Sequence, residues 1–221
     1  MFYISYIKGL FLGSFIFLLG RTADISISAS SYFQLMKENE YLLRKGLNAS
    51  FFNLVCVGPV VYCFVDFFLI DKTFTFYFSQ MISILSIHSV GYYLTHRAFH
   101  ENTSIYKYHS FHHKFDNILV PSIGNAVSIQ EFFLAYMFPF ILGAYAIYPT
   151  EISFISAVGL ISIFNLIIHT KELENIHYLD FLVSPKKHIT HHKVKKKHYA
   201  APIMDLDYIL EHLTFKKNNK K

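Results

Sequence analysis

Tryptophan is absent from this chain of 221 residues, and cysteine occurs only twice, at Cys56 and Cys63. Two cysteines seven apart inside one apolar block share a helix face, and they provide no disulfide framework. Charge is scarce as well: 16% of the residues are Asp, Glu, Lys or Arg, against 53% hydrophobic and 18% aromatic. That balance, with the apolar residues gathered in long blocks rather than amphipathic stripes, is the composition of a membrane protein. The chain also lacks a Gly-rich dinucleotide fingerprint, a CxxCH haem-attachment motif, internal repeats, and low-complexity segments beyond short lysine runs.

A bilayer core roughly 30 Å thick takes about 20 helical residues per crossing, so four or five crossings use about half the chain. Phe2 to Gly20 reads as a first spanning helix rather than a signal peptide, because Lys8 interrupts the apolar stretch and no convincing cleavage site follows. Residues 21–46 are polar and read as a cytoplasmic loop with an interfacial helix. Leu47 to Ile70 is a second crossing with a kink at Gly58-Pro59, and Asp71-Lys72 is a tight turn into a third block, Phe74 to Leu94. Residues 96–127 are polar and histidine-rich. Ile129–Tyr148 and Ile152–Ile168 then form a hairpin around Pro149-Thr150-Glu151.

This parity brings every histidine-rich segment to one face. The same face holds Lys186, Lys187, Lys193, Lys195, Lys196 and Lys197, followed by a tail with Lys216, Lys217, Lys220 and Lys221. With a net charge of +5, such a run could meet nucleic acid. In a membrane chain it reads instead as the positive cytoplasmic side beside anionic lipid. The sequence thus predicts an all-α, multi-pass membrane protein with about 4–5 transmembrane helices and a cytoplasmic, histidine-rich helical cap. In this topology the sequons at Asn48 and Asn102 go unused.

Three histidine clusters stand out among the 13 histidines: His96 and His100 as HxxxH, His109, His112 and His113 as HxxHH, and His188, His191 and His192 as a second HxxHH. Residues three or four apart on a helix lie about 5 to 6 Å apart at Cβ, so each cluster is expected to aim its imidazoles at one spot. An HxxHH pattern arises by chance roughly 0.04 times in a chain of this composition, so two of them are not accidental. Eight imidazoles exceed the four that one tetrahedral zinc uses, leaving two metals, or one metal with a surplus. Ionisable clusters at a membrane boundary are costly and point to function. His88, inside an apolar block, reads as a hydrogen-bonded polar residue, and His212 as solvated.

The order HxxxH, HxxHH, apolar hairpin, HxxHH resembles the fatty acid hydroxylase superfamily, which includes sterol desaturases, C4-methylsterol oxidases, cholesterol 25-hydroxylases and sphingolipid hydroxylases. Tyr92-Tyr93-Leu94-Thr95-His96-Arg97 is similar to the family's approach to its first box, and Ile105-Tyr106-Lys107-Tyr108 to its approach to the second. Glu131 matches a frequent family glutamate. Asn165 and His169 match an Asn-x-x-x-His element that lends a further ligand. Two places depart from the pattern: His198-Tyr199-Ala200 stands where Asn-Tyr-Gly is common, and Leu206-Asp207 where Trp-Asp is common. Here His198 could replace the missing Asn as ligand or hydrogen-bonding group, Asp207 could orient a histidine, and His177 could be recruited to the site.

The resemblance implies two iron ions held by His96, His100, His109, His112, His113, His169, His188, His191 and His192, with O2 as co-substrate. It implies hydroxylation or desaturation of a lipid, with a slight preference for a sterol, and electrons from a cytochrome b5 or a ferredoxin/reductase partner. The resemblance covers about residues 85–210, and the first 70 residues contribute only hydrophobic pattern; the chain is expected to divide into N-terminal membrane helices with an interfacial loop (1–72), a di-metal catalytic domain (73–212) and a basic tail (213–221). The resemblance also implies an endoplasmic-reticulum membrane with the boxes facing the cytoplasm, or a bacterial inner membrane. Two other readings remain open: an acyl-lipid or acyl-CoA desaturase, which uses similar boxes, and a membrane metal transporter, which would hold its ligands near mid-membrane.

Overall fold

A computed structural model describes residues 2–116 and 118–218, with side chains through residue 213. The side chains of Lys216, Lys217, Lys220 and Lys221 in the basic tail lie outside the described residues. Eight helices account for most of the fold among the described residues: α1 (Phe2–Ser26), α2 (Ala29–Phe68), α3 (Phe78–Glu101), α4 (Thr103–His109), α5 (Ile129–Ile147), α6 (Glu151–Ile168), α7 (Pro185–Val194) and α8 (Leu206–Asn218). Of these, α1, α2, α5 and α6 are long and apolar enough to cross a membrane. The chain is an all-α integral membrane protein.

The third apolar block of the sequence becomes α3, whose 24 residues extend for about 36 Å at 1.5 Å per residue. It starts at Phe78 rather than Phe74 and packs against α5 and α6. Those neighbours let it carry polar groups that lipid would not tolerate, and His88, Ser89, Tyr92 and His96 are all buried. Its start is tied to the α5–α6 turn, where Tyr77 N donates to Ser153 Oγ at 2.8 Å. Beside it, Asp71 N donates to the Pro149 carbonyl at 2.9 Å. This end of the bundle is the one opposite the histidine boxes.

Two expectations about irregular backbone are corrected. The kink expected at Gly58-Pro59 takes the form of a π-helical stretch, Phe52–Val57, immediately before it. A second such stretch, Phe132–Met137, precedes Pro139 in α5. Proline removes an N–H and its ring crowds the carbonyl four residues back, and one wider turn relieves the clash without breaking the helix. Residues 21–46 are also not a loop: α1 continues to Ser26, and α2 begins at Ala29 with a break at Asn39 (φ −153°, ψ 70°).

The segment expected to be polar, 96–127, ends in ten buried residues, 118–127, which enter the bundle beside α1, α2 and α6. Ile118, Leu119, Val120, Ile123 and Ala126 contribute to an apolar core. The backbone there would be stranded without partners. Instead, Ser50 Oγ donates to the Ser122 carbonyl at 2.8 Å, and Asn53 Nδ2 donates to the carbonyls of Asn125 and Val127 at 3.0 Å each.

Candidate metal centre

The histidines gather where α3, α4, the 3-10 turn at His112–Lys114, the end of α6, and α7 meet at one end of the bundle. Nine of them form two groups. His96, His100, His109, His113 and His191 make one; His112, His169, His188 and His192 make the other, and within each group the candidate ligand atoms all lie within 4.8 Å of one another. All are buried except His100, which is half-buried. The groups adjoin, with the rings of His113 and His192 4.8 Å apart.

Each HxxHH box was expected to serve one spot, and the structure corrects this. In both boxes the first and last histidines, four apart, join one group, while the middle one joins the other: His109 and His113 against His112, and His188 and His192 against His191. For the box inside α7, His188 to His192, the reason is angular; the first HxxHH box leaves α4 at His109 and ends in the 3-10 turn. On a helix at 3.6 residues per turn, positions i and i+4 differ by about 40°, but i+3 and i+4 diverge by about 100°.

Hydrogen bonds at the far nitrogens orient several rings. His96 Nδ1 lies 2.7 Å from the Tyr199 carbonyl, His191 Nδ1 2.8 Å from the Lys197 carbonyl, and His169 Nδ1 2.7 Å from the Asn165 carbonyl. His109 Nδ1 lies 2.6 Å from Glu131 Oε1, with both groups buried. A carbonyl can only accept, so Nδ1 carries the proton in the first three, and the Glu131 carboxylate acts alike on His109. The Nε2 lone pairs therefore aim inward. His96 Nε2 and His109 Nε2 are 3.0 Å apart, so two bare lone pairs would repel; a cation between such nitrogens removes the repulsion. His188 Nε2 and His169 Nε2 face each other at 3.0 Å in the second group. The donor set fits a metal ion in each group.

Burial keeps these imidazoles neutral. It lowers the pKa of His169 and of His191 to about 4. It holds His109, His112, His188 and His192 well below the ordinary value, with neighbouring histidines adding to the effect. Neutral imidazole is the form that ligates.

The remaining candidates fall outside both groups. His88 is fully buried with its ring 4.3 Å from Phe140, and His177 and His212 are exposed. His198 belongs to neither group, and its backbone has φ 59°, the left-handed conformation that Asn and His adopt more readily than most residues. Asp207 orients no histidine directly. Its Oδ2 accepts from Ala200 N at 2.7 Å and fixes the turn that presents the Tyr199 carbonyl to His96. The acceptor carbonyls of Tyr199, Lys197 and Asn165 carry no side-chain signal and were not legible beforehand.

A family model for fatty acid hydroxylase matches residues 81–211, more than half of the chain. No curated protein and no solved structure gives a match.

Proposed function

The chain belongs to the fatty acid hydroxylase family, whose members are membrane lipid hydroxylases and desaturases, and from that membership we propose that it is a di-iron, O2-dependent lipid oxidase with residues 73–212 as its catalytic domain. One observation carries the two-metal reading: nine imidazoles fall into two adjoining groups with neutral, inward-facing nitrogens. The proposed ligands are His96, His100, His109, His113 and His191 for one iron, and His112, His169, His188 and His192 for the other. Bound there, the irons would supply reduction of O2 and oxidation of an unactivated C–H bond. The chain's own residues hold and orient. Glu131 and the carbonyls of Asn165, Lys197 and Tyr199 keep Nδ1 protonated, and the buried packing keeps water away from the rings.

A sterol is the first substrate to test, and a cytochrome b5 or a ferredoxin/reductase the first electron donor. The lysines beside α7, Lys193, Lys195, Lys196 and Lys197, offer an acidic donor a complementary surface. The deciding experiment is metal content per chain, by elemental analysis of detergent-purified protein. The wild type is expected to hold about two irons, as two closed ligand groups require. The double variant His112→Ala, His191→Ala removes one ligand from each group and is expected to lose both. Wild-type protein that binds no metal after iron loading refutes the proposal.

A further inference from the structure

A cleft lined almost wholly by apolar side chains lies within the bundle between α1, α2, α5 and α6. No histidine lines it, but one end approaches the histidines through two neighbouring residues. There Asn165, whose carbonyl accepts from His169 Nδ1, lines the cleft, and so does Phe132, the residue after the Glu131 that binds His109. From that end the walls run through Leu54, Ile16, Ile161, Val158 and Phe140, and the only polar side chains between the ends are Tyr136 and Ser162. The far end closes on Tyr62, Val65 and Phe154. Asn165 and Phe154 are eleven positions apart on α6, which is about 16 Å of helix. An extended chain advances about 1.2 Å per bond, so that length corresponds to about a dozen bonds.

The far end has a feature the walls lack. Tyr62 is buried with its ring 6.4 Å from that of Phe154, and its hydroxyl donates to Glu151 Oε1 at 3.1 Å. The same oxygen takes the Lys8 ammonium at 2.6 Å. Swinging the phenol aside would break a hydrogen bond to a charged, ion-paired carboxylate. Val65 and Phe154 have no comparable tether.

We propose that Tyr62, held by the Glu151–Lys8 pair, is the stop against which the far end of the lipid's hydrocarbon rests, and that it thereby sets which carbon reaches the histidines. This rests on the lipid-oxidising reading. The occupant is an elongated hydrocarbon about 16 Å long, because a nearly unbroken apolar wall at membrane depth offers nothing to a polar chain. An acyl chain and a sterol share that chemistry.

The test is photocrosslinking of the full chain in lipid nanodiscs, without added metal or turnover. One arm uses fatty acids of graded length with a terminal diazirine, the other a sterol with a diazirine on its side chain or ring, and crosslinks are mapped by mass spectrometry. Labelling of Tyr62, Val65 or Phe154 supports the stop, and the arm that produces it identifies the source. Tyr62→Ala is expected to admit acyl probes longer by about four bonds, the depth of the lost phenol at about 1.2 Å per bond. Should that variant not fold, Ile161→Phe narrows the cleft from α6 and is expected to move the terminal label from Phe154 toward Asn165.

Labels confined to exposed residues such as Phe11, Phe64 and Leu142 overturn the proposal, as does a label pattern unchanged in Tyr62→Ala. The two readings fail separately. Cleft labelling in a protein that never binds iron leaves the stop standing without the oxidase; iron and product without cleft labelling do the reverse.

Discussion

Among the described residues, Glu131 is the one carboxylate bonded to a histidine of the two groups, at 2.6 Å from His109 Nδ1. It fixes the ring's tautomer and raises the basicity of the nitrogen facing the cluster. Partners of this kind usually account for 10- to 100-fold in metal affinity. Glu131→Gln is expected to weaken metal binding by about that factor, measured by competition with a chelator of known affinity, while the protein stays folded. Protonation acts on the same atoms. The folded-state values of His169 and His191 lie near 4, below the ordinary 6.5, so between those values the unfolded chain binds more protons than the folded one. The contribution of these neutral rings to stability is therefore present above about pH 6.5 and is lost as pH falls toward 4. In the folded protein these rings stay neutral, and so able to ligate, down to about pH 4; metal content is expected to hold to about that pH and fall below it, and loss of metal from folded protein already near pH 6 would contradict the assignment of these rings as ligands. His198 makes a third case. A left-handed backbone suits Asn and penalises a β-branched side chain, so His198→Asn is expected to keep the metal and His198→Val to release it, by the same elemental analysis.

At the scale of elements, hydrophobic blocks and turn residues reveal the helices, because crossing a bilayer forces a length and a composition that nothing else requires. How helices seat against one another is a different matter. A Cβ on Gly13 would lie 1.9 Å from the Leu54 carbonyl oxygen, whereas one on Gly159 would meet nothing within 4 Å. Gly13→Leu is therefore expected to cost about 1–3 kcal/mol or more by overpacking, and Gly159→Leu to stay within about 0.5 kcal/mol, compared by thermal unfolding in detergent. Equal effects would mean that α1 and α2 are not in contact. No sequence pattern separates these two glycines, since the difference lies in which backbone arrives from the other helix. The split of His109 and His113 from His112 was hidden for a related reason. Spacing says that the three are neighbours, but only their angles, and the partners that α3 and α7 supply to one group and the end of α6 and α7 to the other, divide them between two sites. The buried run at 118–127 was masked by the polar histidines before it, although its Ile118, Leu119, Val120 and Ile123 are ordinary core residues.

At the scale of the whole molecule, the two ends of the bundle are chemically unlike. The far end carries Lys8 and Lys72, each ion-paired with a carboxylate, Glu151 and Asp66. The histidine end carries Lys193, Lys196 and Lys197 in exposed positions. Lysines and arginines are held back on the cytoplasmic side of a membrane during insertion, and the histidine end carries more of them. The histidine end should therefore face the cytoplasm, which would also give a soluble electron donor access to it. Single cysteines test this in a background of Cys56→Ala and Cys63→Ala: Thr73→Cys at the far end, Lys196→Cys beside the histidines, both at exposed positions. In intact cells expressing the protein in the plasma membrane, a membrane-impermeant maleimide is expected to label the first directly and the second only after permeabilisation. The opposite pattern would put the histidines outside and leave a cytoplasmic donor no path to them. The basic surface would then need another partner, while the pairing of imidazoles within the bundle would stand unchanged.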